Sequence, residues 1–286
     1  MIEEALAGRA ADGLSLSGAY FAPEEPRATI VWIHGFGVSY DLPQCAQLGR
    51  ALSRVGLAFV AAGLRSQHGA YTGWRDRDGR TSFMRAGGWY EVFEESTLDL
   101  STWVAIARGR SPSPVILAGH SFGALRAAYY VAERSTPTVD ALILGSFSYG
   151  LRHLEADVSA LATSLVEAGR GSELLFDGSW ARGFGTTTVS AQTYASWSRV
   201  AGGFFDEGAP TLAAVNCPTF VWYGTKEDVG GAAELDWLRG RLTSAPLVEQ
   251  ALLPDVSHGY LGGEQTIADA IAGRVETLVG VAALAQ

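Results

Sequence analysis

Pro114-Val-Ile-Leu-Ala-Gly-His-Ser-Phe-Gly-Ala124 is the stretch on which the reading of this chain turns. Four buried-strand residues, Val115 to Ala118, run into Gly119-His120-Ser121-Phe122-Gly123. Behind them Leu125, Ala128, Tyr129 and Ala132 recur at helical spacing. Strand, sharp turn and helix therefore follow one another, with a serine on the turn itself. Glycines at 119 and 123 leave out the two Cβ atoms that would block a close strand-to-helix approach, and this exposes the Ser121 hydroxyl. The helix start behind the serine adds backbone N–H groups whose dipoles favour developing negative charge.

Gly-x-Ser-x-Gly in this setting resembles the nucleophile elbow of the α/β-hydrolase superfamily of serine hydrolases. The resemblance continues upstream. The run Ala28-Thr-Ile-Val-Trp-Ile33 is a fully buried strand by its β-branched content, and it delivers His34-Gly35-Phe36-Gly37 at its C-terminal end. In the resemblance this is the oxyanion loop, which implies the backbone N–H of Phe36 and that of Phe122, after the nucleophile, as the two oxyanion donors. Downstream, Cys217-Pro-Thr-Phe-Val-Trp-Tyr-Gly224 is a strand ending in Thr225-Lys226-Glu227-Asp228, and Leu247 to Leu253 is the last strand, ending in Pro254-Asp-Val-Ser-His258.

The superfamily order of nucleophile, acid and histidine then implies Ser121, an acid at 227 or 228, and His258. Glu227 stands three residues after Gly224, a spacing the superfamily often shows; Asp228 has the residue type it prefers, and Asp228 is the choice made from sequence. The other histidines are placed elsewhere: His34 in the oxyanion loop, His120 before the nucleophile, His68 in an arginine-rich loop, His153 at the start of an insertion. The chain departs from the family pattern at Gly63, where an acidic residue is often found.

The function this implies is hydrolysis of a carboxylic ester, lactone or thioester of a small to medium, partly apolar substrate. His258 would take the Ser121 proton, the acid would hold the imidazole, and an acyl-enzyme would form and be hydrolysed. An acyltransferase or biosynthetic thioesterase, delivering the same acyl group to an alcohol or amine, is the alternative. A non-catalytic ligand receptor on the same scaffold is a third reading. Serine at 121 disfavours epoxide or haloalkane chemistry, for which the resemblance would imply an aspartate there.

Composition sets the outer bounds. With 286 residues and 48% hydrophobic content, the chain suits one large α/β domain with an insertion. A net charge of −9 argues against nucleic acid or an anionic membrane as a partner. Cys45 and Cys217 lack the C-x-x-C spacing of a metal or redox site, and the N-terminus carries acids where a signal peptide wants bases. The expectation is a cytoplasmic protein, monomer or homodimer, acting on a small molecule. No H-E-x-x-H, Walker lysine or strand-borne G-x-G-x-x-G occurs, so no cofactor or metal is expected.

Alternating strands and helices predict a mostly parallel central sheet covered on both faces, the α/β-hydrolase fold, with core residues 1–146 and 217–286. Between Ser146 and about Asn216 the alternation stops. Residues 147–216 are read as an inserted, mainly helical cap, or else as a surface excursion packed on itself. Its aromatics Phe176, Trp180, Phe184, Tyr194, Trp197, Phe204 and Phe205 would form an apolar wall over Ser121. A long loop from Arg65 to Gly88 holds Arg65, Arg75, Arg77, Arg80 and Arg85, either a cationic rim at the pocket mouth or a solvated surface. Trp89 and Tyr90 are expected in core or pocket wall, and a single closing helix from Thr266 to about Ala283 covers the sheet.

Overall fold

The computed structural model describes residues 1–136, 138–177 and 187–284. The strands β1 (Ile2–Arg9) and β2 (Ser15–Ala22) form an antiparallel hairpin closed at Asp12-Gly13. The chain then alternates through β3 (Thr29–Ile33), α1 (Pro43–Arg54) and β4 (Ala58–Ala62). A small hairpin, β5 (Tyr71–Arg77) and β6 (Arg80–Ala86), precedes α2 (Ser96–Arg110), β7 (Val115–His120), α3 (Phe122–Ala132) and β8 (Ala141–Gly145).

The segment after β8 holds a 3-10 turn at Gly150–His153, α4 (Ala156–Glu167), the paired strands β9 (Leu174–Asp177) and β10 (Thr187–Ser190), α5 (Ala191–Phe205) and the short α6 (Pro210–Ala213). β11 (Thr219–Gly224), α7 (Ala232–Arg239), β12 (Val248–Leu253), α8 (Glu264–Ala272) and α9 (Val275–Leu284) complete the described chain. The closing helix is thus two helices, because Gly273 ends the first. Among the described residues no helix is long and apolar enough to cross a membrane.

The main sheet runs β1-β2-β4-β3-β7-β8-β11-β12, and its last six strands are parallel. Why these strands read as unbroken apolar runs is visible in their two sides. Val31, Ile33, Leu117 and Leu144 pack with Leu100, Trp103 and Leu125 of α2 and α3. Ile30, Trp32, Ile116 and Ile143 pack with Leu48 and Leu52 of α1 and with Ile267, Ile271 and Leu278 of α8 and α9. Both faces are covered, so alternation with polar residues has no place. Leu48 and Leu52 are fully buried, each contributing about 2 kcal/mol through the area removed from water.

From β3 the chain steps outward to β4 and then crosses back to β7, so the carboxyl ends of β3 and β7 border the crevice where strand order reverses. Ile33 is in register with Gly119, and His120 with Gly145. The loops carrying His34, Ser121 and Ser146 therefore leave the sheet side by side.

The arginine-rich segment differs from the expected loop. It is the β5–β6 hairpin turned by Asp78-Gly79, whose φ angles of 51° and 74° are those an Asp-Gly turn adopts readily. Arg65 is buried, with its guanidinium on Asp99 at 2.9 Å, Asp12 at 3.2 Å and Glu95 at 2.6 Å. Asp99, on α2, thus braces the loop that follows Gly63, accepting from the Arg65 backbone N–H at 2.8 Å as well. Arg75 pairs with Asp12 at 2.6 Å, and Arg85 lies over the Tyr90 ring at 4.9 Å.

Candidate active site

Ser121 sits between β7 and α3 with φ 57° and ψ −124°, a backbone conformation that residues other than glycine rarely adopt. Its N–H donates to the Gly145 carbonyl at 2.9 Å, and its carbonyl accepts from the Ala124 N–H at 3.0 Å, which hold the strained turn. The two glycines are required by contact. A Cβ at 119 would overlap the Gly123 carbonyl, and a Cβ at 123 would overlap the carbonyls of Ile33 and His34. The elbow is thereby pressed against the end of β3, and Gly35 abuts Ser121.

His258 enters from the loop after β12. Its Nε2 is 3.1 Å from Ser121 Oγ, and its Nδ1 is 3.0 Å from Glu227 Oε2. An ionised carboxylate only accepts, so Nδ1 carries the proton and Nε2 is the acceptor for the serine hydroxyl. The Glu227 side chain is fully buried, and its Oε1 accepts from the Ser146 hydroxyl at 2.8 Å and from the Gly224 N–H.

Asp228, the acid chosen from sequence, is a correction. Its residue is exposed, and the carboxylate on His258 is that of Glu227. The strand β11 ends at Gly224, and the longer side chain three residues on folds back to cap that strand's last N–H. This fixes Glu227 facing inward and leaves its neighbour facing water.

Ser146 was not legible from the sequence. It follows β8 with φ 47°, is fully buried, and stands 81 residues from the acid it holds. Its place is decided by strand order, since β8 lies beside β11.

The remaining histidines separate as expected by place. His34 is buried with Nδ1 2.8 Å from the Gly35 carbonyl, and burial, with the Arg126 cation nearby, pushes its pKa down to about 3. His120 is stacked between Trp32 at 5.9 Å and Trp222 at 6.0 Å. Burial, and then the proximity of His258, hold its pKa well below the ordinary histidine value. Both rings are therefore neutral at pH 7. His68 and His153 are exposed.

Phe36 and Phe122 flank the serine, with ring centroids 5.8 Å apart, and Trp197 of α5 packs edge-on to Phe36 at 5.4 Å. A cavity of about 390 Å³ opens over Ser121 and His258. Its walls include Phe36, Val38, Leu42 and Trp89, with Gln44, Ser148 and Thr188 as polar points. Among the described residues no Asp, Glu, Lys or Arg lines it.

Two expectations about this cavity change. The arginines of residues 65–88 do not line it: Arg65 and Arg75 pair with acids, Arg85 lies over a ring, and Arg77 and Arg80 are exposed at the hairpin turn. Among the described residues of 147–216, no aromatic lines it either. Tyr194, Trp197 and Phe204 are buried, Phe204 against Phe93 and Phe147, and Phe176 is 63% exposed. Trp180 and Phe184 lie outside the described residues. Among the described residues of the insertion, Ser148 and Thr188 reach the cavity, and Trp89 supplies the wall that the insertion was expected to supply.

Residues 24–168 match the family model described as Hydrolase_4, serine aminopeptidase, S33, a span that holds His34-Gly35-Phe36-Gly37 and the turn at Ser121. No curated protein matches the chain. Among solved structures, a highly thermostable carboxyl esterase from Bacillus coagulans in complex with glycerol is similar with a TM-score of 0.72 at 15% identity, over 98% of this chain and 99% of that one. Est1E from Butyrivibrio proteoclasticus gives 0.59 at 14% identity, over 96% and 99%. The α/β hydrolase GrgF from Penicillium sp. sh18 gives 0.69 at 12% identity, over 98% and 100%. At these identities the likeness is one of fold.

Proposed function

The chain belongs to the Hydrolase_4 (serine aminopeptidase, S33) family of α/β hydrolases, and from that premise we propose that it is a serine hydrolase cleaving neutral carboxylic esters of small to medium size. The observation that carries the reading is the continuous line from Ser121 Oγ through the His258 ring to Glu227, with links of 3.1 Å and 3.0 Å. Serine is a weak nucleophile at its own pKa, and an imidazole whose far nitrogen donates to a buried carboxylate is the base that activates it. As Ser121 attacks the acyl carbon, His258 takes its proton, and the oxyanion is stabilised by the N–H groups of Phe36 and Phe122, a contribution of about 3 kcal/mol per donor. The proton passes from His258 to the departing alkoxide, and the acyl-enzyme remains on Ser121. Water, deprotonated by His258, then releases the acid.

The family description names aminopeptidases, and one feature weighs against that substrate here. A free N-terminal ammonium brought out of water needs a carboxylate beside it. The cavity lining provides none among the described residues, whereas it suits an uncharged acyl or alkyl group with a few hydrogen-bonding positions. Ferulic acid, which is bound to Est1E in one of the similar structures, is of a size such a cavity accepts, although the two chains share only 16% identity. We take residues 147–216 as a cap, whose helix α5 packs on Phe36 and Phe122 through Trp197.

A fluorophosphonate probe should label the protein and spare Ser121→Ala, and nitrophenyl esters of increasing chain length should turn over faster than amino-acid nitroanilides. Product analysis with an added alcohol separates hydrolysis from acyl transfer. Absence of labelling in well-folded protein refutes the assignment.

A further inference from the structure

Behind the elbow lies an ion pair that none of the chemistry above uses. Arg126 of α3 and Glu91 are both fully buried, and the Arg126 Nη2 donates to Glu91 Oε1 at 2.9 Å and Oε2 at 2.7 Å. Taking two charges out of water costs several kcal/mol each, and such a pair is often no more stable than an apolar one of the same volume. Among the described residues the buried Arg126 Nε–H has no hydrogen-bond partner. What the pair touches is more informative. The Arg126 Nη1 lies 3.5 Å from the carbonyl of His34, at the start of the oxyanion loop, and the guanidinium stacks 4.7 Å over the ring of Phe122, the residue after the nucleophile. Glu91 in turn accepts from the Trp197 indole N–H at 3.3 Å, and that indole packs on Phe36 at 5.4 Å and on Phe122 at 5.3 Å.

One planar, always charged group therefore holds both halves of the oxyanion site and, through Glu91, the helix that covers them. Arginine suits this because one terminal nitrogen serves the carboxylate and the other the His34 carbonyl while its face stacks on an aromatic ring; lysine, with one nitrogen and no plane, cannot do all three. We propose that the buried Arg126–Glu91 pair is a positioning device that sets the spacing of the Phe36 and Phe122 amides for the transition state. The inference rests on the hydrolase reading above and adds positioning residues to it.

The test uses the full-length chain and three readouts: thermal midpoint, the second-order rate of fluorophosphonate labelling, and kcat and KM per titrated active site on a short-chain nitrophenyl ester. The double variant Arg126→Met/Glu91→Leu replaces the pair by somewhat shorter apolar side chains. Arg126→Lys keeps the charge pair and loses the stacking plane, and it serves where the double variant folds poorly. The expected result is a drop of about 100-fold in labelling rate and kcat for the double variant, and about 10-fold for Arg126→Lys, with KM within about 3-fold. A variant that is folded and is labelled as fast as the parent, or one that loses thermal stability while kcat per titrated site is unchanged, overturns the proposal and leaves the pair a structural element. If the parent itself resists labelling, the hydrolase reading falls and this inference with it. If the parent is labelled, Ser121→Ala is not, and the variants match the parent, the inference alone falls.

Discussion

Exchanging Glu227 for glutamine replaces one carboxylate oxygen by an NH2 group and leaves the shape of the site nearly intact. Oε1 already accepts from the Ser146 hydroxyl and the Gly224 N–H, so the glutamine carbonyl keeps that side. The amide NH2 then takes the place of Oε2, 3.0 Å from His258 Nδ1. An NH2 group can only donate there, which forces Nδ1 bare and moves the ring proton to Nε2, facing Ser121 Oγ at 3.1 Å. In that tautomer His258 cannot accept the serine proton. The loss expected is ~10⁴ in kcat, or about 5 kcal/mol of barrier, with KM close to that of the parent. Asp228→Asn, on an exposed residue, should stay within about 2-fold. Both variants are assayed as kcat per titrated site on one nitrophenyl ester at pH 7.5 to 8. If the asparagine variant is crippled and the glutamine variant active, the placement of the acid is wrong.

Ser146→Ala removes one of the bonds that orient Glu227 and should lower kcat about 10-fold, roughly 1.4 kcal/mol, with KM unchanged; a parent-like kcat would show that the hydroxyl is not needed. Arg65→Met leaves the fully buried Asp99 without its cation and should cost about 3–5 kcal/mol of unfolding free energy, read as a fall in the urea midpoint, although Arg65 is absent from the cavity lining. His34 has its pKa pushed down to about 3 in the folded chain, whereas an unfolded histidine binds its proton near 6.5. Between those values the unfolded state holds the extra proton, so its contribution is fully present above about pH 6.5 and is lost as pH falls, by about 1.4 kcal/mol per unit. Urea midpoints of the parent should decline between pH 7 and pH 5 more steeply than those of His34→Gln; parallel declines would contradict the buried neutral state.

What the sequence determined by itself is whatever depends on neighbours along the chain. Gly119 marks the elbow locally because the clash it avoids, with the Gly123 carbonyl, lies four residues away along the chain; the contact that requires Gly123, with the carbonyls of Ile33 and His34, comes from the end of β3. The unbroken apolar runs of β3, β4, β7, β8 and β11 announce a sheet covered on both faces, and Asp78-Gly79 carries a hairpin signal that the charge-based reading of that segment passed over. The tertiary structure decided what depends on strand order and on side-chain reach. Adjacent acids at 227 and 228 differ little in local signal, and only the return of Glu227 to the Gly224 N–H, with Ser146 arriving from β8, selects one of them. The aromatics of residues 147–216 and the arginines of residues 65–88 have a composition that suits a pocket wall and a charged rim. Composition carries no direction, however, and packing turned Phe204 into the core and set Arg65 among three acids. The same holds for Arg126 and Glu91, 35 residues apart in sequence and joined at 2.7 Å behind the elbow. A buried charge pair leaves no periodic or motif-like trace, because each partner is placed by the fold that the apolar residues build.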